Sequence, residues 1–186
     1  MTKPIVFLDI DGVLNGHDFN DGAGSNTIRP SCIAALNYII AKADPQIVLS
    51  SAWRYMILTK HLTLTGFEYL LRTHGACGIV GNLIGTTCAD EECVHCLHRG
   101  KIGKGKYDDE GQPKCRKCGQ SSCRAFQVDH WLIRNQPWQK RWVVIDDGDY
   151  RFREIGHPFV QTDPSVGLTM KDARKAVKFC VRLLRP

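Results

Sequence analysis

Three short apolar runs in this chain end in acids or hydroxyls: KPIVFLD, QIVLSS and RWVVIDDGD. A run of this length with no polar alternation is what a strand buried on both faces requires, and such strands belong to parallel sheets covered by helices. The intervening segments carry the helical period. Residues Arg29 to Lys42 start with Pro30 and place Ile33, Leu36, Ile39 and Ile40 on one face. Residues 52–61 and 66–73 read as two further helices, and Ala125 to Arg134 as an amphipathic one. CGIVG reads as a weaker third strand and HPFVQTD as a fifth. Thr169 followed by Asp172 makes a capping-box-like start for a last helix reaching about Leu184. The expected class is α/β, with a parallel sheet between two layers of helices.

In such a sheet, chemistry collects at the carboxyl ends of the strands. Those ends hold Asp9 and Asp11, then Ser50 and Ser51, then Asp146 and Asp147. Each acid alone could simply open a turn, since DG and DDG are turn signals. All three motifs in order, on separate strands, point instead to one crevice. Four carboxylates meeting there would repel one another without a cation, and a hard-oxygen donor set suits magnesium.

FLDIDGVLN, IVLSS and VVIDD resemble the first, second and fourth motifs of the haloacid dehalogenase superfamily of phosphohydrolases. The likeness extends over residues 1–87 and 124–186, and implies a three-layer, Rossmann-like core. The stretch FVQTDPSVGLT followed by a helix resembles a small subgroup with members attached to RNA-repair proteins. The resemblance implies that Asp9 is the nucleophile, forming an aspartyl-phosphate. Asp11 would protonate the leaving oxygen and then activate water, projecting the same way as Asp9 from an extended backbone. Ser50, or Ser51 if the strand ends one residue later, would hydrogen-bond a phosphoryl oxygen. Asp147 would hold magnesium with Asp9 and the Asp11 carbonyl, and Asp146 would ligate or orient. A family lysine normally precedes the fourth motif; here Arg124 stands in that role, with Lys114 and Lys117 as the other bases in range. Arg54 would contact phosphate or the substrate backbone, and His17 lies where a substrate could touch it.

Between the two flanks, residues 88–123 look like a separate insert. Six of the nine cysteines lie from Cys88 to Cys123. Cys93 and Cys96, then Cys115 and Cys118, form two CxxC pairs 18 residues apart, the spacing of a zinc ribbon. The intervening GKIGKGKYDDEGQPK is too polar to build a core, so a structural zinc is what would order it. Cys88, Cys123, His95 and His98 are reserve ligands in alternative registers. The insert falls where relatives carry a cap, and the loop Gly16 to Thr27 is too short to be one. Cys32, Cys77 and Cys180 sit in apolar settings and read as core thiols, and Trp53, Trp131 and Trp142 as core anchors.

The net charge is +6, and residues 130–186 carry eleven basic against six acidic side chains. A basic half of this kind suits a phosphate-bearing partner, nucleic acid included. No apolar run approaches the roughly 18 residues that span a bilayer, so no membrane role is expected and the location reads as cytoplasmic. The reading is a magnesium-dependent phosphomonoesterase acting on a nucleotide or a nucleic-acid end. A small phosphorylated metabolite is the alternative substrate, and a non-catalytic nucleic-acid-binding module on the same scaffold is the alternative class. The intact Asp9–Asp11 pair argues against the last. Nothing in the sequence sets the oligomeric state.

Overall fold

A computed structural model gives the fold; residues 2–16, 27–87 and 123–181 are described. The expectations for His17, for Cys88, Cys93, Cys96, Cys115 and Cys118, and for the insert's histidines and lysines lie outside these residues.

The elements in chain order are β1 (Ile5–Leu8), α1 (Pro30–Ala43), β2 (Gln46–Leu49), α2 (Arg54–Leu58), α3 (Leu64–Thr73), β3 (Leu83–Thr86), α4 (Arg124–Asn135), β4 (Trp142–Asp146), α5 (Phe152–Ile155), β5 (Phe159–Gln161) and α6 (Met170–Val181). The described strands form one sheet in the order β3-β2-β1-β4-β5. Every pairing is parallel. β1 is central: Ile5 to Leu8 pair with Gln46 to Leu49 on one side and Trp142 to Ile145 on the other.

The continuous apolar run of β1 follows from this position. Val6 and Leu8 face one core with Leu36 and Ile39 of α1, Phe67 and Leu71 of α3, and Ala173 and Ala176 of α6. Ile5 and Phe7 face the other, with Val128 and Trp131 of α4 and Phe152 of α5. Phe7 meets Trp131 and Trp142 edge-on, with ring centroids 5.5 and 6.0 Å apart. The strand order reverses at β1: the chain goes to β2 on one side and returns to β4 on the other. The crevice outside the carboxyl ends of β1 and β4 is therefore the switch point, where such sheets bind ligands.

Several sequence expectations shift. CGIVG is not a strand: Gly78 and Gly81 both take φ of +74°, which turns the chain, and the Gly81 N–H bonds the Glu68 carboxylate at 3.0 Å. Its apolar signal comes from Ile79, buried as a plug within the turn. The third strand is the next segment, LIGT, whose pairing with β2 is irregular between Ile47 and Val48. Residues 52–61 reduce to α2, a helix of five residues, whereas α3 starts two residues early, its Thr63 cap accepting the Gly66 N–H at 2.9 Å. The short α5 has no counterpart in the sequence reading; it delivers Phe152 to the core. The capping box of α6 is present, with Asp172 N–H donating to Thr169 Oγ1 at 3.2 Å and Thr169 N–H to Asp172 Oδ2 at 3.4 Å. Trp131 and Trp142 are buried as expected and Cys32 and Cys180 are core thiols, burial pushing the Cys180 thiol up to about 12. Cys77 is exposed. Cys123 is fully buried in the second core and stands at the N-cap position of α4 with no side-chain cap bond. No helix among the described residues is long and apolar enough to cross a membrane.

Candidate active site

β1 and β4 end side by side, and their next residues inherit that proximity. The Asp9 N–H continues the ladder to Ile145 O at 3.0 Å, and the Ser50 N–H bonds Leu8 O at 2.8 Å. Asp9 and Asp146 are buried and Asp147 is half-buried, and one carboxylate oxygen from each lies within 4.8 Å of the others. Three of the four predicted acids thus converge.

Arg124, the first residue of α4, reaches this cluster. Its Nη1 donates to Asp9 Oδ2 at 3.0 Å and to Asp146 Oδ2. The Tyr150 ring lies on its guanidinium, 4.3 Å from centroid to Cζ. Tyr150 and Arg151 both take left-handed backbone, with φ of 36° and 69°, directly after the fourth motif. Gly148 makes room for the ring: a Cβ there would sit 2.3 Å from Tyr150 Cε2. The base that precedes the fourth motif is thus clamped between two carboxylates and an aromatic face.

The electrostatics follow from burial. Desolvation pushes the Asp9 carboxyl above its usual range, and Arg124 and a Ser51 hydroxyl hydrogen bond offset part of that. Asp146 is pushed well up, by burial and then by the charge of Asp9, with Arg124 again opposing. Burial works against the charge on Arg124, but the two carboxylates outweigh it and hold the guanidinium above its usual value. The guanidinium bonds two of the three carboxylates, Asp9 and Asp146, so the cluster holds more carboxylates than cations.

Asp11 sits differently. β1 stops at Leu8, and residues 11–14 form a turn closed by Leu14 N–H to Ile10 O at 2.8 Å, so the extended backbone expected at Asp11 is absent. Its direction is set by side chains instead. Asn15 Nδ2 donates to Asp11 Oδ1 at 2.8 Å, and Trp53 Nε1 donates to the same oxygen at 3.0 Å. Gly12 is required between them: its φ is +71°, and a Cβ there would lie 2.5 Å from Asp147 Oδ2. Thr162, just past β5, ties this turn to the sheet through Oγ1 to Gly12 O at 2.9 Å.

Both serines are buried. Ser51 is the one that reaches Asp9 and also accepts the Trp53 N–H at 3.3 Å. Ser50 Oγ has no hydrogen-bond partner among the described residues. Arg54 is buried at the start of α2, its Nη1 donating to Ser51 O at 3.0 Å. Sequence reasoning missed Asn15, Trp53 and Tyr150. The one available signal was position: Trp53 stands two residues past Ser51.

A family model described as "HAD domain in Swiss Army Knife RNA repair proteins" matches residues 5–173. The chain belongs to this family. The match runs from β1 into α6 and so takes in every strand of the sheet. No curated protein and no solved structure matches the chain. Membership puts this HAD domain in a superfamily of phosphatase-type hydrolases and bears out the likeness read from its strand-end motifs.

Proposed function

We propose that the protein is a magnesium-dependent phosphomonoesterase that works through an aspartyl-phosphate on Asp9, with a nucleotide or a nucleic-acid terminal phosphate as substrate. The observation that carries this reading is the sharing of Arg124 between two buried carboxylates, Asp9 and Asp146, with Asp147 alongside. Such a cluster is costly in a structural role, because each buried carboxylate must be compensated. The donor set is all hard oxygen, with three carboxylates against the one guanidinium of Arg124, which fits a divalent cation such as magnesium. Asp9, Asp146 and Asp147 would hold the ion, with the Asp11 carbonyl, and it would supply neutralisation of the phosphoryl charge.

The side chains divide the remaining work. Asp9 attacks phosphorus while Arg124 favours its ionised form against the effect of burial and faces the developing charge. Asp11 gives a proton to the ester oxygen as the phosphorus–oxygen bond breaks. It later takes one from the water that frees phosphate and regenerates Asp9. Ser50, whose hydroxyl has no partner among the described residues, and Ser51 border the site and would bind phosphoryl oxygens. Arg54 would face the substrate's phosphate or backbone. The nucleic-acid end is favoured by the family's association with RNA repair proteins and by the net charge of +6. For Cys93, Cys96, Cys115 and Cys118 the proposal is a structural zinc in an insert that caps or clamps the substrate.

The test is phosphate release from terminally phosphorylated oligonucleotides, mononucleotides and sugar phosphates, with magnesium and with chelator. The expected result is release from the nucleic-acid substrates that stops with chelator and falls to background in Asp9→Asn. Wild-type turnover by Asp9→Asn would end the covalent reading. A preference for sugar phosphates would put the metabolite reading first.

A further inference from the structure

Trp53 lies on the loop between β2 and α2, where a large half-buried aromatic is normally explained by packing. Part of it is: the ring meets buried Phe67 of α3 edge-on, with centroids 6.0 Å apart and planes at 61°. Packing does not account for its polar end. The indole N–H is aimed at Asp11 Oδ1, 42 residues away in sequence, at 3.0 Å. The Asn15 amide donates to the same oxygen at 2.8 Å, and Asn15 is itself fixed, because its Oδ1 accepts the Gly12 N–H at 3.0 Å.

A carboxylate oxygen has two lone pairs in its plane. On Asp11 Oδ1 two N–H donors take them, so a proton carried by this carboxyl belongs on Oδ2. Both donors are neutral and neither can be exchanged for a proton source. We infer that Trp53, acting with Asn15, is a positioning residue that fixes the Asp11 carboxyl so that Oδ2 alone exchanges protons with the substrate. Phe67 holds the indole in place, and the indole holds the carboxyl. In the first step the proton passes from Oδ2 to the ester oxygen as the phosphorus–oxygen bond breaks. In the second, Oδ2 takes a proton from the attacking water.

The inference rests on the phosphatase reading, and the experiment separates the two. p-Nitrophenyl phosphate and benzyl phosphate are close in size, but only the benzyl alkoxide needs a proton in order to leave. kcat/KM reports the steps through formation of the aspartyl-phosphate, so it isolates proton donation to the leaving group. Trp53→Phe keeps the ring against Phe67 and removes the N–H; thermal unfolding checks that the fold is retained. The expected result is a benzyl to p-nitrophenyl efficiency ratio that falls roughly tenfold in Trp53→Phe, the size of one lost hydrogen bond to a charged group. Asp11→Asn should lower the same ratio further. Adding Trp53→Phe to Asp11→Asn should then leave the ratio unchanged, because the two act through one proton. Equal losses on both esters would make Trp53 a packing residue and overturn the inference alone, as would a full Trp53 effect in the Asp11→Asn background. A wild type inactive on both esters would take the phosphatase reading down with it.

Discussion

The two aspartates of FLDIDG stand two residues apart in opposite surroundings. Asp9 is buried in a charged cluster, ion-paired to Arg124 and close to Asp146 and Asp147. Asp11 is half-buried and held by an amide and an indole, neither of which carries charge. The difference matches the work proposed for each. A nucleophile must stay ionised while an anion approaches, which calls for fixed positive charge. A proton carrier must exist in both forms, and a guanidinium bonded to it would lock it in one. Neutral donors orient such a group without fixing its charge.

The sharpest way to break this contrast is to remove the charge from the Asp9 side. Arg124→Ala should lower kcat by roughly 10²–10³, as loss of one preorganised electrostatic contact does elsewhere. It should slow p-nitrophenyl and benzyl phosphate by the same factor, in contrast to Trp53→Phe. Arg124→Lys should fall between, since an ammonium restores the charge but not the stacking on Tyr150. A loss confined to benzyl phosphate would merge the two roles.

A smaller effect should appear in stability. Burial raises the folded-state values of Asp9 and Asp146 above the usual 3.8. A raised carboxyl favours the folded state below the unfolded value, and that contribution is lost as pH climbs through the folded one. In chelator, the unfolding free energy should therefore decline from about pH 4 upward on account of these two groups. Magnesium should reverse the decline, adding about 2.7 kcal/mol at a hundredfold excess over its dissociation constant. Asp147→Asn should lose most of that gain. A thermal midpoint that ignores magnesium in the wild type would remove the ion from the cluster.

The contrast also marks how far the sequence could be read. Asp9, Asp146 and Asp147 were legible because a buried strand has a fixed direction, and residues at the carboxyl ends of neighbouring parallel strands must meet. Arg124 was legible through its place at the head of the helix before β4. Trp53 was not, because its partner lies 42 residues away and the angle of a loop indole leaves no trace in spacing. β3 was missed for a related reason. LIGT is four residues long and interrupted by Gly85, while CGIVG next to it is the more apolar segment and folds as a turn around Ile79.

The central claim is that Asp9 carries the phosphoryl group and Asp11 the proton. The direct measurement is rapid mixing of Asp11→Asn with p-nitrophenyl phosphate. This leaving group departs without a proton, so the first step should proceed, while the second lacks its base. The account predicts a burst of one nitrophenolate per active site, then a stall, with one phosphoryl mass on the peptide that contains Asp9. Steady turnover without a burst, or a label on any other residue, would contradict it.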